Sequence, residues 1–166
     1  LAYVAIVILA IVGGGSIADL SANLLFVANL PPTSLLKGGG HLWSLCVEMQ
    51  FYIAIAGLVF LAGKRGLYIL PLICVAITAI RVAQGAHISI FTWQRVDEIL
   101  AGTCLALFVA LPKAASWMRR VPTITPLLLF PLLVASAHES AGALNYARPY
   151  IAMLTIGTSI YAAPVL

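Results

Sequence analysis

Apolar residues run in long unbroken stretches, and glycine, proline and charged residues gather between them. Stretches of this kind predict helices, and those approaching about 20 residues predict membrane spans. The first, Leu1 to Val12, is too short to span unless it continues upstream. Gly13-Gly14-Gly15-Ser16 breaks it and offers Ser16 as an N-cap. Ile17 to Leu30 is mixed, interrupted by Asp19, Asn23 and Asn29, and reads either as a short span or as an interfacial helix. Pro31-Pro32 ends it, and Lys37-Gly38-Gly39-Gly40 makes a flexible approach to His41. The pattern then predicts a helix over Trp43–Ala62, a tight basic turn at Gly63-Lys64-Arg65-Gly66, and helices over Leu67–Val82, Val96–Leu111 and Ile124–Ala137. A last helix is expected from Pro149. Between them lie the loop Gln84–Trp93, the basic loop Pro112–Pro122 and the loop His138–Arg148. Nothing alternates as a half-buried strand does, and no heptad or internal repeat is sustained.

The predicted fold is therefore all-α, a polytopic transmembrane helix bundle of about five to six spans. Composition agrees: 63% of residues are apolar and 8% charged, against about 45–50% and 25% in soluble domains. Cys46, Cys74 and Cys104 are far apart and inside predicted helices, so they read as small buried hydrophobes, with no metal site or disulfide framework. The net charge of +4 is confined to loops, which excludes a nucleic-acid surface and speaks to membrane orientation. Lys64/Arg65 and Lys113/Arg119/Arg120 are separated by two predicted spans, so they fall on one side. The positive-inside tendency makes that side cytoplasmic. The opposite face collects His41, Arg81, His87, Arg95, His138, Glu139 and Arg148, with Glu48, Asp97 and Glu98 just inside it. The chain begins and ends within apolar runs, and the expectation is a piece of a larger protein truncated at both ends.

Candidate chemistry is concentrated at His41-Leu-Trp-Ser-Leu-Cys-Val-Glu48-Met-Gln-Phe-Tyr52. Glu48 falls in the second turn of an apolar helix, where a carboxylate is costly and tends to face a bundle interior or a wet cavity. His41, Ser44, Leu45, Glu48 and Tyr52 are spaced to share one helical face. His41 and Glu48 lie two turns apart, so a substrate group, a water or another helix must stand between them. A histidine there can take a proton from an attacking hydroxyl, and Ser44, one turn before Glu48, can hydrogen-bond it. No Gly-x-Ser-x-Gly elbow marks Ser44 as a nucleophile. The structural alternative for Glu48 is an ion pair with Arg81 or Arg95. Trp43 reads as an interface anchor or as a stacking platform for a sugar ring or an acyl donor. Gly102 with Ala106 makes a small-x-x-x-small packing face, and Asp97 and Glu98 suit a helix N-terminus.

The same residues resemble the H-x-W-S-L-x-x-E-x-Q-F-Y signature of the acyltransferase-3 family, integral membrane O-acyltransferases that are mostly bacterial. All eight fixed positions of the twelve match; the signature more often has Ser where Cys46 stands and Glu where Met49 stands. Residues 95–106, from Arg95 and Asp97 to Gly102 and Ala106, are similar to the family's second, looser segment. The resemblance implies that residues 1–166 are part of a single transmembrane acyltransferase domain in a bacterial cytoplasmic membrane, transferring groups other than aminoacyl groups. It implies acetyl-coenzyme A as the acyl donor, with no bound cofactor, and a hydroxyl of a cell-surface glycan or small molecule as acceptor. His41 and Glu48 would be catalytic, and Trp43, Ser44, Tyr52, Arg95 and Asp97 would bind substrate. Lys64, Arg65, Lys113, Arg119 and Arg120 read as topology determinants, or as contacts to the donor's phosphates. The family also places an Arg and a His in its first membrane helix. No residues here match that helix, which makes this stretch a supporting half-site. The competing class is a non-enzymatic bundle, either transporter-like or regulatory, in which intramembrane Glu and Arg are equally at home.

Overall fold

The computed structural model describes residues 2–87, 89–118 and 120–162, so Arg119 lies outside the described residues. Those residues form helices and turns, with no strand among them. The α-helices are α1 (Ala2–Gly13), α2 (Ile17–Leu24), α3 (Leu42–Ala62), α4 (Leu70–Ala83), α5 (Asp97–Val109), α6 (Ala114–Met118), α7 (Thr125–Ser136) and α8 (Leu144–Ala162). The chain packs as two compact units, Leu1–Leu67 with Ser89–Val96, and Tyr68–Ile88 with Asp97–Leu166.

In the first unit, Ser16 caps α2 as expected: its Oγ accepts from the Asp19 N–H at 3.0 Å and donates to Asp19 Oδ2 at 2.7 Å. The carboxylate also receives the Ser34 hydroxyl at 2.9 Å, and the Asn23 amide donates to Asp19 O and Ser34 O. These bonds tie the loop before α3 back onto α2. Hydrogen bonds from Ser16 and Ser34 hold the Asp19 carboxyl below the ordinary carboxylate range. Helix α2 has 8 residues, too short to cross a membrane. Two residues past its end stands Phe26, whose φ of 56° is left-handed. A bulky residue tolerates that conformation only where its surroundings over-determine it. Here the ring is buried with Ile6, Leu36, Leu42 and Cys46, and Tyr3 packs 5.4 Å from it.

Helix α3 begins within a residue of its expected start. Helix α3 stops at Gly63, whose φ of 61° is left-handed, and a 3-10 stretch over Gly63–Ile69 stands where the tight turn of Gly63–Gly66 is expected. Pro71 stands at the start of α4, where its missing N–H forfeits no helical bond. Among the described residues, the helical run Leu42–Ala83 is the one long and apolar enough to cross a membrane; Ala2–Gly13 and Thr125–Ser136 are apolar but shorter. Much of its surface is apolar, with Ile53, Phe60, Leu61, Leu72 and Val75 all exposed.

The second unit packs α4 and α8 on α5, with α7 against α8. Along α5 the buried stripe is Asp97, Ala101 and Leu105, four residues apart. The expected packing face of Gly102 and Ala106 points outward, one residue round the helix, and nothing lies within 4 Å of the Cβ position of Gly102. The last helix starts at Leu144, before the expected Pro149. Its added turn is held by Asn145, buried, which donates to Ser136 O at 3.2 Å and accepts from Arg81.

Candidate functional site

The signature divides into two faces of α3. His41, Ser44, Glu48 and Tyr52 are all exposed, as their spacing requires of a shared face. His41 is the residue before α3 and makes no side-chain cap bond. The Ser44 hydroxyl donates to His41 O at 3.0 Å, not to Glu48 as the spacing had suggested. A hydroxyl on a helix readily turns back to a carbonyl of the preceding turn. Glu48 makes no hydrogen bond or ion pair among the described residues.

The other face points inward and holds a loop. Gln50 Nε2 donates to Phe26 O at 2.7 Å and to Asn29 Oδ1 at 2.9 Å. Asn29 is 1% exposed; its amide donates to Ile90 O at 3.0 Å and Thr92 Oγ1 at 2.8 Å. Thr92 donates on to Gln50 Oε1, closing a ring of bonds. A buried polar network with its members satisfied rigidifies what it joins. What it joins is α3, the turns that follow α2 and the segment Ser89–Val96. That segment carries Phe91 and Trp93, stacked at 4.9 Å, and Arg95, whose guanidinium lies 5.4 Å over the Trp43 ring. The half-buried Trp43 thus has its ring covered by a cation, an arrangement worth about 0.5–2 kcal/mol. Arg95, expected beside Glu48 or a substrate oxygen, meets the signature at Trp43.

In the second unit Arg81 and Asp97 form a buried ion pair, Nη1 to Oδ2 at 2.6 Å, with side chains 1% and 0% exposed. Arg81 was a candidate partner for Glu48; its guanidinium is occupied here instead. Its Nη2 donates to Asn145 Oδ1 at 3.0 Å and His87 O at 3.3 Å, and Tyr146 lies under it at 5.6 Å. Asp97, expected to bind substrate, also accepts from Thr78 Oγ1 at 3.2 Å, which in turn accepts from Tyr150 at 2.9 Å. Glu98, the next residue, pairs with Arg148 of α8. Bringing two charges into an apolar interior is costly unless geometry and further bonds compensate; the short ion pair and its added bonds do so in part, while Arg81 Nε and Asp97 Oδ1 are buried without a hydrogen bond.

Sequence reasoning did not assign roles to Asn29, Gln50, Thr78, Thr92, Asn145 or Tyr150. The available signal was chemical: an amide in an otherwise apolar stretch must find partners if it is buried. Among the described residues no group of three or more His, Cys, Asp or Glu side chains is placed to hold a metal ion. No family model, curated protein or solved structure matches the chain.

Proposed function

We propose that this chain is part of a membrane-embedded O-acyltransferase that moves an acetyl group from acetyl-coenzyme A to a hydroxyl of a glycan or small molecule. The observation that carries this reading is the outward face of α3. It presents an imidazole, a carboxylate and a phenol, and the carboxylate of Glu48 has no structural partner among the described residues although it stands in the one segment apolar enough to span a membrane. A charge kept there without a structural bond calls for a functional reason. In this scheme the acceptor hydroxyl sits between His41 and Glu48. Its oxygen attacks the thioester carbonyl, its proton passes to His41, and coenzyme A leaves as the thiolate and takes up a proton. Tyr52 and Ser44 border the acceptor, and Arg95, held over Trp43, borders the acyl oxygen. The donor's phosphates would meet the basic loop of Lys64 and Arg65.

The surrounding bundle, on this reading, is polytopic, lies in a bacterial cytoplasmic membrane and has the basic loops of Lys64/Arg65 and Lys113/Arg119/Arg120 on the cytoplasmic side. Reporters fused after Arg65 and after His87 should behave as cytoplasmic and external; the opposite pattern reverses the orientation. The activity is tested with Glu48→Gln in the intact protein, at matched membrane levels, using labelled acetyl-coenzyme A. Transfer should be abolished, and wild-type transfer by that variant removes Glu48 from the mechanism.

The buried Arg81–Asp97 pair favours a second reading, a transporter-like or regulatory bundle, since such pairs also line substrate pathways. Absence of labelled product from wild-type membranes, over a range of acceptors, would favour it.

A further inference from the structure

The second unit contains a cavity of about 290 Å³ among α4, α5, α6 and α8. Pro71, Cys104, Phe108, Met118, Met153 and Gly157 line it, and no lining side chain is charged. Gly157 lets Leu105 and Met118 close in on α8 at one wall of the cavity. A Cβ there would meet Leu105 Cδ1 at 3.0 Å and Met118 Cε at 3.5 Å. Methionines are the side chains best able to re-pack around an irregular guest. A cavity without polar groups does not hold water well and takes an apolar occupant.

The neighbouring surface specifies what is attached to that occupant. Met118 ends α6, and the ring of Trp117 stands 6.1 Å from that of Phe108. Trp117 is half exposed and, with Leu111, Pro112 and Lys113, borders a second apolar depression. Lys113 precedes α6 and Arg120 follows it, both exposed. No acidic residue occurs between Glu98 and Glu139, so this end of the unit is uniformly cationic. An apolar slot, a tryptophan beside it and exposed cations next to both reproduce, in order, the tail, the interface and the anionic head of a phospholipid.

We propose that the cavity holds one hydrocarbon chain of an anionic glycerophospholipid, with its phosphate against Lys113 and Arg120. This site does not depend on acyl transfer; it depends on the chain lying in a membrane. The test uses the intact protein in nanodiscs of equal parts phosphatidylcholine and phosphatidylglycerol. After release into mild detergent, native mass spectrometry counts the lipids retained. One phosphatidylglycerol per chain should remain, preferred over phosphatidylcholine by about thirtyfold, the selectivity that two basic residues at a headgroup provide. Lys113→Gln/Arg120→Gln should bring the preference close to one, whereas Lys64→Gln/Arg65→Gln should leave it intact. Gly157→Leu should lose the retained lipid, and Cys104→Phe fills the same space from α5 if the first variant does not fold. Equal retention of both lipids by the wild type overturns the proposal, and this needs no variant. So does undiminished retention in a folded cavity-filling variant, or displacement by palmitoyl-coenzyme A with no enrichment of phosphatidylglycerol.

Discussion

Removing one member of the Arg81–Asp97 pair should be far more damaging than removing both. Asp97→Ala deletes a charge-assisted bond from Arg81, worth about 1.5–3 kcal/mol, and the Thr78 bond, worth about 1 kcal/mol. It also leaves the guanidinium, 1% exposed, with only the Asn145 and His87 oxygens and the Tyr146 ring. The sum falls in the ~3–5 kcal/mol range of a broken buried pair. Arg81→Met should cost a similar amount, because Asp97 is then buried with Thr78 alone. The double variant Arg81→Met/Asp97→Leu leaves no orphaned charge, and apolar replacement of a whole buried pair is often close to neutral. It should therefore be more stable than either single variant, which requires a coupling energy larger than the cost of one single variant, above about 3 kcal/mol. Equilibrium unfolding of the intact protein in mild detergent, run as a double-mutant cycle, measures this. Single effects that add within about 0.5 kcal/mol would refute the reasoning. An Asp97→Asn protein of wild-type stability that has lost activity would instead assign Asp97 to substrate.

Glu48→Gln, by contrast, should alter stability by no more than about 0.5 kcal/mol, since the side chain is exposed and unbonded, so its loss of transfer is read free of misfolding. Gln50→Leu removes the partner of Asn29 Oδ1 and of the Thr92 hydroxyl proton; it should cost about 1–3 kcal/mol and speed amide exchange across Ser89–Val96, and unchanged exchange there would show that the ring of bonds does not hold the segment. Asp19 has a depressed carboxyl pKa, so its bonds stabilise fully above the ordinary carboxylate value of about 4 and the contribution is lost as pH falls through the lower folded-state value. The stability difference between wild type and Asp19→Asn should be flat near neutrality and shrink in acid; a difference that grows on acidification would contradict the assignment.

Much of the helical layout was legible in the chain because local rules write it. Apolar runs set α3, α4, α5 and α7 to within a few residues, Ser16 announced a cap, and the spacing from His41 to Tyr52 placed four polar groups on one face. Those features depend on neighbours within a turn or two. The errors arose where a neighbour was distant. Gly102 and Ala106 look like a packing stripe in isolation, yet packing turned Asp97, Ala101 and Leu105 inward. Pro149 looks like a helix start, yet Asn145 carries the helix one turn further back.

The sequence alone determined that this chain is helical, strongly apolar and able to place a helix across a membrane, because helix periodicity and hydropathy are sums over adjacent residues. Only the tertiary structure decided which polar group meets which. Arg81 finds Asp97 at a separation of 16 residues and Asn145 at 64, and Asn29 finds Thr92 at 63. A buried donor must have a partner, but local chemistry cannot say whose, since that is settled when the helices close around it.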